Sequence, residues 1–336
     1  NSNGVTFSSE NLLYNTNTVP IANSSTNVHT SDIDGDGDYD ILASIGLQFN
    51  ESKIVWFENI DGLGNFSEEQ FVYYNTGGSS VGTLYTADLD LDGDLDVVTY
   101  WRFEDKIVWY ENSDGNGNFN TERIVATNVD DVVDLSIGDL DGDGDKEIIF
   151  GDNNGIIHIF NSDGSEVEDD TFPFDAGNQI WGSAAAADMD GDGNLDFVIT
   201  SKSKHIYIFD KNGLKTDYFA GQYLMGTPAI GNLDDDSDLE VVIGGYSVPA
   251  NEQKIFAINI DGSEVVGFPL ILGEKMKAGA ALADFNGNGK DDIVVGTDDD
   301  NIYLIYDDGS IAPGFPYTTG DKIQVAPSVA DIGGEK

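Results

Sequence analysis

The sequence predicts an all-β fold assembled from repeats. A nine-residue acidic motif returns at intervals of 44 to 56 residues, and a β-branched run follows every copy. No segment of the 336 residues carries a convincing helical period.

The motif is D-x-D-x-D-G-x-x-D. It reads DIDGDGDYD from Asp32, DLDLDGDLD from Asp88, DLDGDGDKE from Asp139 and DMDGDGNLD from Asp188. Looser copies are NLDDDSDLE from Asn232 and DFNGNGKDD from Asp284, and a seventh begins at Asp331 as DIGGEK. A period near 50 residues leaves room for about four strands per repeat, the content of a propeller blade.

Each element follows from its flank of the motif. Before the loops lie small-residue strands such as WGSAAAAD, GTPAIGN and AGAALAD, suited to the crowded inner edge of a blade. After them come DILAS, DVVTY, EIIFG, DFVIT, EVVIGG and DIVVG, the second strands. Third strands are KIVWFEN from Lys53, KIVWYEN from Lys106, IIHIFNSDG, HIYIFDKNG, KIFAINIDG and NIYLIYDDG. The outer strand varies more, as in SEEQFVYYN from Ser67. Forty glycines against eight prolines supply the tight turns.

Repeats are expected to start near residues 25, 81, 132, 181, 225, 277 and 324, within one domain over 1–336. VTFSSENLLYNT from Val5 matches NFSEEQFVYYNT from Asn65, so residues 5–14 are expected to form the outer strand of the last blade. That closure would remove the open sheet edges. The reading is therefore a seven-bladed β-propeller; either the chain continues past Lys336 as part of a longer secreted polypeptide, or the ring closes with an incomplete last blade.

Charge narrows the function. With 62 acidic and 15 basic residues the formal charge is −47, which repels phosphate backbones and acidic lipid surfaces. Nucleic acid is excluded as a partner. Hydrophobic residues at 40% and aromatics at 11% supply a core, so the acidity does not mean disorder. The absence of cysteine rules out disulfides and thiolate metal sites. No apolar run approaches the length of a membrane-spanning helix.

Crowding four or five carboxylates into nine residues is unfavourable without a cation to neutralise them. One Asp-Gly turn of this kind is an ordinary solvated turn, but six copies keep oxygen-bearing side chains at positions 1, 3, 5 and 9. Oxygen-only donors suit a hard cation, and Ca²⁺ takes six to eight of them. Positions 1, 3, 5 and 9 would give side-chain oxygens and position 7 a backbone carbonyl, while Gly at position 6 makes the turn. An EF-hand is excluded, because position 12 after Asp32 is Ala43 and a strand follows.

The candidate metal sites are thus Asp32, Asp34, Asp36, Asp38 and Asp40; Asp88, Asp90, Asp92, Asp94 and Asp96; and Asp139, Asp141, Asp143, Asp145 and Glu147. Next come Asp188, Asp190, Asp192, Asn194 and Asp196; Asn232, Asp234, Asp236, Asp238 and Glu240; and Asp284, Asn286, Asn288, Lys290 and Asp292. Four to six calcium ions are expected. The seventh copy, with Gly333 and Glu335 at positions 3 and 5, is expected to be empty.

These loops and their flanking strands resemble the FG-GAP/VCBS repeat family, known from the propeller head of integrin α subunits. The GFP turns at Gly267 and Gly314 and the TFPF at Thr171 are similar to its bacterial secreted members. The resemblance implies a seven-bladed propeller, with Ca²⁺ between the first two strands of each blade, in a secreted or cell-surface protein. Departures are the missing Phe-Gly pair in most repeats and GAP variants such as APSV and TPAI.

Three functions fit: a calcium-stabilised adhesion or binding module for a glycan or extracellular protein, a polysaccharide lyase or hydrolase, or a structural spacer. The catalytic inventory is thin. The three histidines, His29, His158 and His205, all fall in strand patterns, and no Ser-His-Asp order or carboxylate pair stands out. The module is the favoured reading, with no catalytic residue assigned. Trp56 and Trp109 share one repeat position and are expected to pack between blades. Trp101, Arg102, Trp181, Met225, Tyr246 and Lys277 fall near the blade ends opposite the acidic loops and form the candidate ligand surface.

Overall fold

The structure, a computed structural model, describes residues 27–46, 51–77, 80–246, 249 and 251–330. Among them there is no helix, hence none long and apolar enough to cross a membrane. The expected strand at residues 5–14 and the loop at Asp331 lie outside the described residues.

Among the described residues, twenty-four strands form six four-stranded antiparallel sheets, each a meander of consecutive strands. The first holds β1 (Val28–Ser31), β2 (Asp40–Gly46), β3 (Ser52–Phe57) and β4 (Gln70–Asn75). The second holds β5 (Val81–Ala87), β6 (Asp96–Trp101), β7 (Lys106–Asn112) and β8 (Phe119–Thr127). The third has β9 (Leu135–Gly138), β10 (Glu147–Gly151), β11 (Ile156–Asn161) and β12 (Phe174–Asp175). The fourth has β13 (Ala185–Ala187), β14 (Asp196–Thr200), β15 (His205–Asp210) and β16 (Gly213–Phe219). The fifth comprises β17 (Ala229–Gly231), β18 (Glu240–Gly244), β19 (Lys254–Ile258) and β20 (Leu270–Ile271). The sixth comprises β21 (Ala281–Ala283), β22 (Asp292–Gly296), β23 (Asn301–Ile305) and β24 (Tyr317–Thr318). The expected small-residue, β-branched and aromatic strands are thus the first, second and third strands of successive sheets.

The chain divides into two compact units. One comprises Asn1–Val132, Gly144–Ile148 and Ile159–Val167, the other Val133–Asp143, Ile149–His158 and Glu168–Lys336. The first unit contains the first two sheets and the second contains the fourth to sixth. The third sheet has residues of both and is described by itself.

Alternation across each pleat explains why the middle strands read as unbroken apolar runs. On β18 in the second unit, Val241 and Ile243 join a core with Val198, Ile206 and Ile208 of the fourth sheet. Val242, between them, joins Ile293, Val295 and Ile305 of the sixth. The first unit repeats the device. Trp56 and Leu42 share a core with Val97, Val108 and Tyr110 of the second sheet, whereas Val55 and Ala43 pack on the opposite face. A strand that must fill two cores has no polar side, and burying each Val or Ile side chain is worth about 1.5–3 kcal/mol.

The first strands need small residues because backbones meet there. In the second unit a Cβ at Gly182 would overlap the Gly226 carbonyl, and one at Gly226 would overlap the Ala278–Gly279 backbone. Ser183 Oγ and Thr227 Oγ1 bond at 2.9 Å across the same crossing.

Candidate metal centres

Every acidic loop joins the first strand of a sheet to the second, and its ninth residue opens the second strand. Those ninth residues, Asp40, Asp96, Glu147, Asp196, Glu240 and Asp292, are at most 4% exposed. Their carboxylates close the loop. Asp40 Oδ2 accepts the Ile33 N–H at 2.9 Å and Oδ1 the Asn59 N–H at 2.8 Å. Asp96 accepts from Leu89 and Asn112 in the same way, at 3.0 and 2.9 Å. Asn59 and Asn112 are the asparagines that end KIVWFEN and KIVWYEN.

The loop interior is a ladder of Asx turns. Asp34 Oδ1 accepts the Asp36 N–H, and Asp36 Oδ1 accepts the Asp38 N–H. Asp92 holds Asp94, Asp190 holds Asp192, and Asp192 holds Asn194 by the same bond. At position 1 one oxygen is anchored. Asp32 Oδ2, Asp88 Oδ2 and Asp188 Oδ2 each accept the N–H of the position-6 glycine, at 3.0–3.1 Å.

The other oxygen decides the chemistry. Oδ1 of Asp32, Asp88 and Asp188 is buried without a hydrogen-bond partner, as are Asn232 Oδ1 and Glu240 Oε1. A buried acceptor left unsatisfied costs about 1–3 kcal/mol, more when charged. Here the same atom is left over in loop after loop.

Around these atoms the carboxylates converge. Oxygens within 4.8 Å of one another are offered by Asp32, Asp34 and Asp36, by Asp88, Asp90 and Asp96, and by Asp188, Asp190 and Asp192. Asp234, Asp236 and Glu240 do the same, as do Asp139, Asp141 and Glu147 of the third sheet. Burial first, then neighbouring carboxylates, holds the Asp34 and Asp90 carboxyls above their ordinary range. Burial pushes Asp96 and Glu240 up to about 7 against the backbone bonds they accept. Negative charge is disfavoured in these loops unless a cation shares it. Hard oxygen donors with spare lone pairs fit a divalent cation such as Ca²⁺; these clusters can bind metal.

The sixth loop differs. Asp284 Oδ1 accepts the Gly287 and Asn288 N–H groups and Oδ2 that of Gly289. Asn286 Nδ2 donates to Asp292 Oδ1 at 3.0 Å, so positions 3 and 9 satisfy each other. Lys290, at position 7, turns its ammonium to Asp235 at 2.9 Å and Asp307 at 3.7 Å.

Glycine at position 6 takes positive φ in the first four loops and the sixth, as the turn requires. Position 4 is left-handed in the same five, and in the second that strain falls on Leu91 (φ 60°). In the fifth, Asp235 and Ser237 both keep negative φ.

Residues 32–99 and 139–199 match the family model described as the FG-GAP-like repeat, and both stretches begin on the first carboxylate of a loop. These two stretches are similar to FG-GAP-like repeats. No curated protein matches the sequence. Among solved structures, BBS1N in complex with ARL6DN is similar with a TM-score of 0.57 and 13% identity, over 90% of this chain and 84% of that one. Sqt1 of Saccharomyces cerevisiae gives 0.57 and 13%, over 85% and 75%. The V. cholerae biofilm matrix protein Bap1 gives 0.50 and 18%, over 80% of this chain but only 42% of Bap1. These likenesses are of fold, and the fold is propeller-like.

Outside the acidic loops, the candidate ligand residues separate. Trp101 is fully buried, a correction to its reading as a surface residue. It ends β6, pairs with Val81 and donates from Nε1 to Tyr110 Oη at 3.0 Å, its ring 5.7 Å from that of Tyr73. Met225 is also buried, at 8% exposure. Arg102 is exposed in the first unit, 3.8 Å from Asp131. Trp181, Tyr246 and Lys277, in the second unit, are half-buried. Trp56 and Trp109 are packing residues: a Cβ at Gly117 would overlap the Trp56 ring, and Trp109 Nε1 donates to the Ser162 carbonyl at 3.1 Å.

The histidines are structural in their contacts. His29 Nε2 meets Thr86 Oγ1 at 3.1 Å, His158 stacks on Phe150, and His205 bonds Asp217. Sequence reasoning missed Lys202, Lys204, Tyr223 and Lys275. Their signal is lysine in the turn between β14 and β15 and in the connection between β20 and β21, in a chain otherwise short of cations.

Proposed function

We propose that this chain is a calcium-stabilised, non-catalytic binding or adhesion module of a secreted or cell-surface protein, a propeller with seven blade positions. Five ions are assigned to the first five loops. The observation that carries the reading is the unpartnered buried oxygen at position 1 of four loops. Recurrence supports a structural ion, since a reaction centre is needed once and a loop clip in every blade. Recognition is assigned to the end of the second unit opposite its acidic loops, around Trp181 and Tyr246.

Calorimetric titration of metal-stripped protein tests this. Extracellular calcium modules bind with dissociation constants on the order of 10⁻⁴–10⁻³ M, and several sites in that range are expected. No uptake at millimolar calcium would overturn the reading. Trp181→Ala should leave melting nearly unchanged while weakening a ligand found on a glycan or protein array. If chelation abolished binding or turnover without moving the melting curve, the ions would belong to a functional site instead.

A further inference from the structure

In the second unit, three ammonium groups lie over aromatic rings on the loop ends opposite the acidic loops. Lys202 Nζ is 4.2 Å from the Trp181 ring centroid, Lys204 Nζ 5.6 Å from Tyr223 and Lys275 Nζ 5.5 Å from Tyr246. Backbone bonds string the pairs into one row. The Lys202 N–H donates to the Gln179 carbonyl, that of Tyr246 to Tyr223, and that of Met276 to Gly245. Trp181, Lys202, Lys204, Tyr223 and Tyr246 are half-buried.

In a chain with 62 acidic residues, Lys53, Lys106, Lys211, Lys215 and Lys290 each have a carboxylate within ion-pair distance. Among the described residues Lys202, Lys204 and Lys275 have none. That lack is shared with Lys146, Lys254, Lys277 and Lys322; the aromatic ring under each ammonium is what sets these three apart. The nearby acids are engaged elsewhere: Glu274 accepts from Thr297 and Tyr303, and Asp298 from Gln324. The half-buried ammonium groups of Lys202 and Lys204, set on rings, are preorganised anion contacts because side-chain entropy is already spent, and the exposed Lys275 adds a third charge to the row.

We propose that this row binds an anionic glycan, its carboxylate or sulfate groups repeating along the polymer as the ammonium groups repeat along the row. The assignment rests on the reading that recognition occurs on this end of the unit, and it names the ligand class there. The Gln179 side chain accepts from Lys202 Nζ and donates to Asn153 Oδ1, which helps hold the Lys202 ammonium on the Trp181 ring. Lysine, a point charge, takes single carboxylates or sulfates in this setting. The chain's negative charge elsewhere confines such a ligand to this row.

The test is equilibrium binding, at saturating calcium, of three hexasaccharides of one backbone: a uronate, its methyl ester and a sulfated form. Wild type should bind the uronate or the sulfated form, but not the ester. The double variant Lys202→Gln/Lys275→Gln should lose about tenfold or more, the scale of one charge-assisted hydrogen bond, with an unchanged melting curve. Equal binding of acid and ester overturns the anionic assignment while leaving the surface a binding site. Binding that survives the double variant but is lost in Asp90→Asn overturns the location. If no hexasaccharide binds, the proposal fails, and a protein ligand weakened by Trp181→Ala would keep the broader reading alone.

Discussion

Asp96 and Glu240 show what the loops cost without a cation. In metal-free protein burial raises both to about 7, so their ionised forms are penalised in the fold and not in the unfolded chain. The penalty is absent below the unfolded value near 4 and complete above about 7. Metal-stripped protein should therefore melt higher at about pH 5.5 than at about pH 8. Calcium should reverse that order, because it needs the carboxylates ionised; melting curves at both pH values, with and without calcium, check this. Gly117 gives a second residue-scale test. It sits at φ +75° with the Trp56 ring where a Cβ would go. Gly117→Ala should cost roughly 2–4 kcal/mol in denaturant unfolding, combining left-handed strain with overpacking. A cost below about 1 kcal/mol would mean that the Trp56 packing is loose.

Among the elements, the loops were legible where chemistry repeats and illegible where packing decides. D-x-D-x-D-G-x-x-D marked every first-to-second-strand loop, and KIVWFEN and KIVWYEN marked strands whose tryptophans pack between sheets. The closing asparagines of those strands went unread, since an N–H reaching back some 16 to 19 residues to Asp96 or Asp40 leaves no local pattern. Trp101 was misread because periodicity does not fix where a strand ends, and β6 runs one residue into what looked like loop. The contrast between the second and sixth loops carries its own prediction. Asp90→Asn should reduce bound calcium by one ion. Asn286→Asp removes the amide that satisfies Asp292 and should add a calcium-dependent increment to stability. Unchanged stoichiometry in Asp90→Asn would remove the second loop from the sites.

At the scale of the whole molecule, 27 of the 62 acidic residues lie in six nine-residue loops, so the charge that makes the chain anionic is also concentrated where each sheet begins. Ions there would tie the first strand of a sheet to its second, and their loss should weaken every sheet that has one. Each site adds about 2.7 kcal/mol at a hundredfold excess of calcium over its dissociation constant. Removing one, as in Asp36→Ala, should lower the melting temperature by less than full chelation does. The most direct test is the thermal melting of metal-stripped protein with and without millimolar calcium, magnesium serving as control. A rise of many degrees with calcium, and a much smaller one with magnesium, is the result this account predicts; superimposable curves would contradict it.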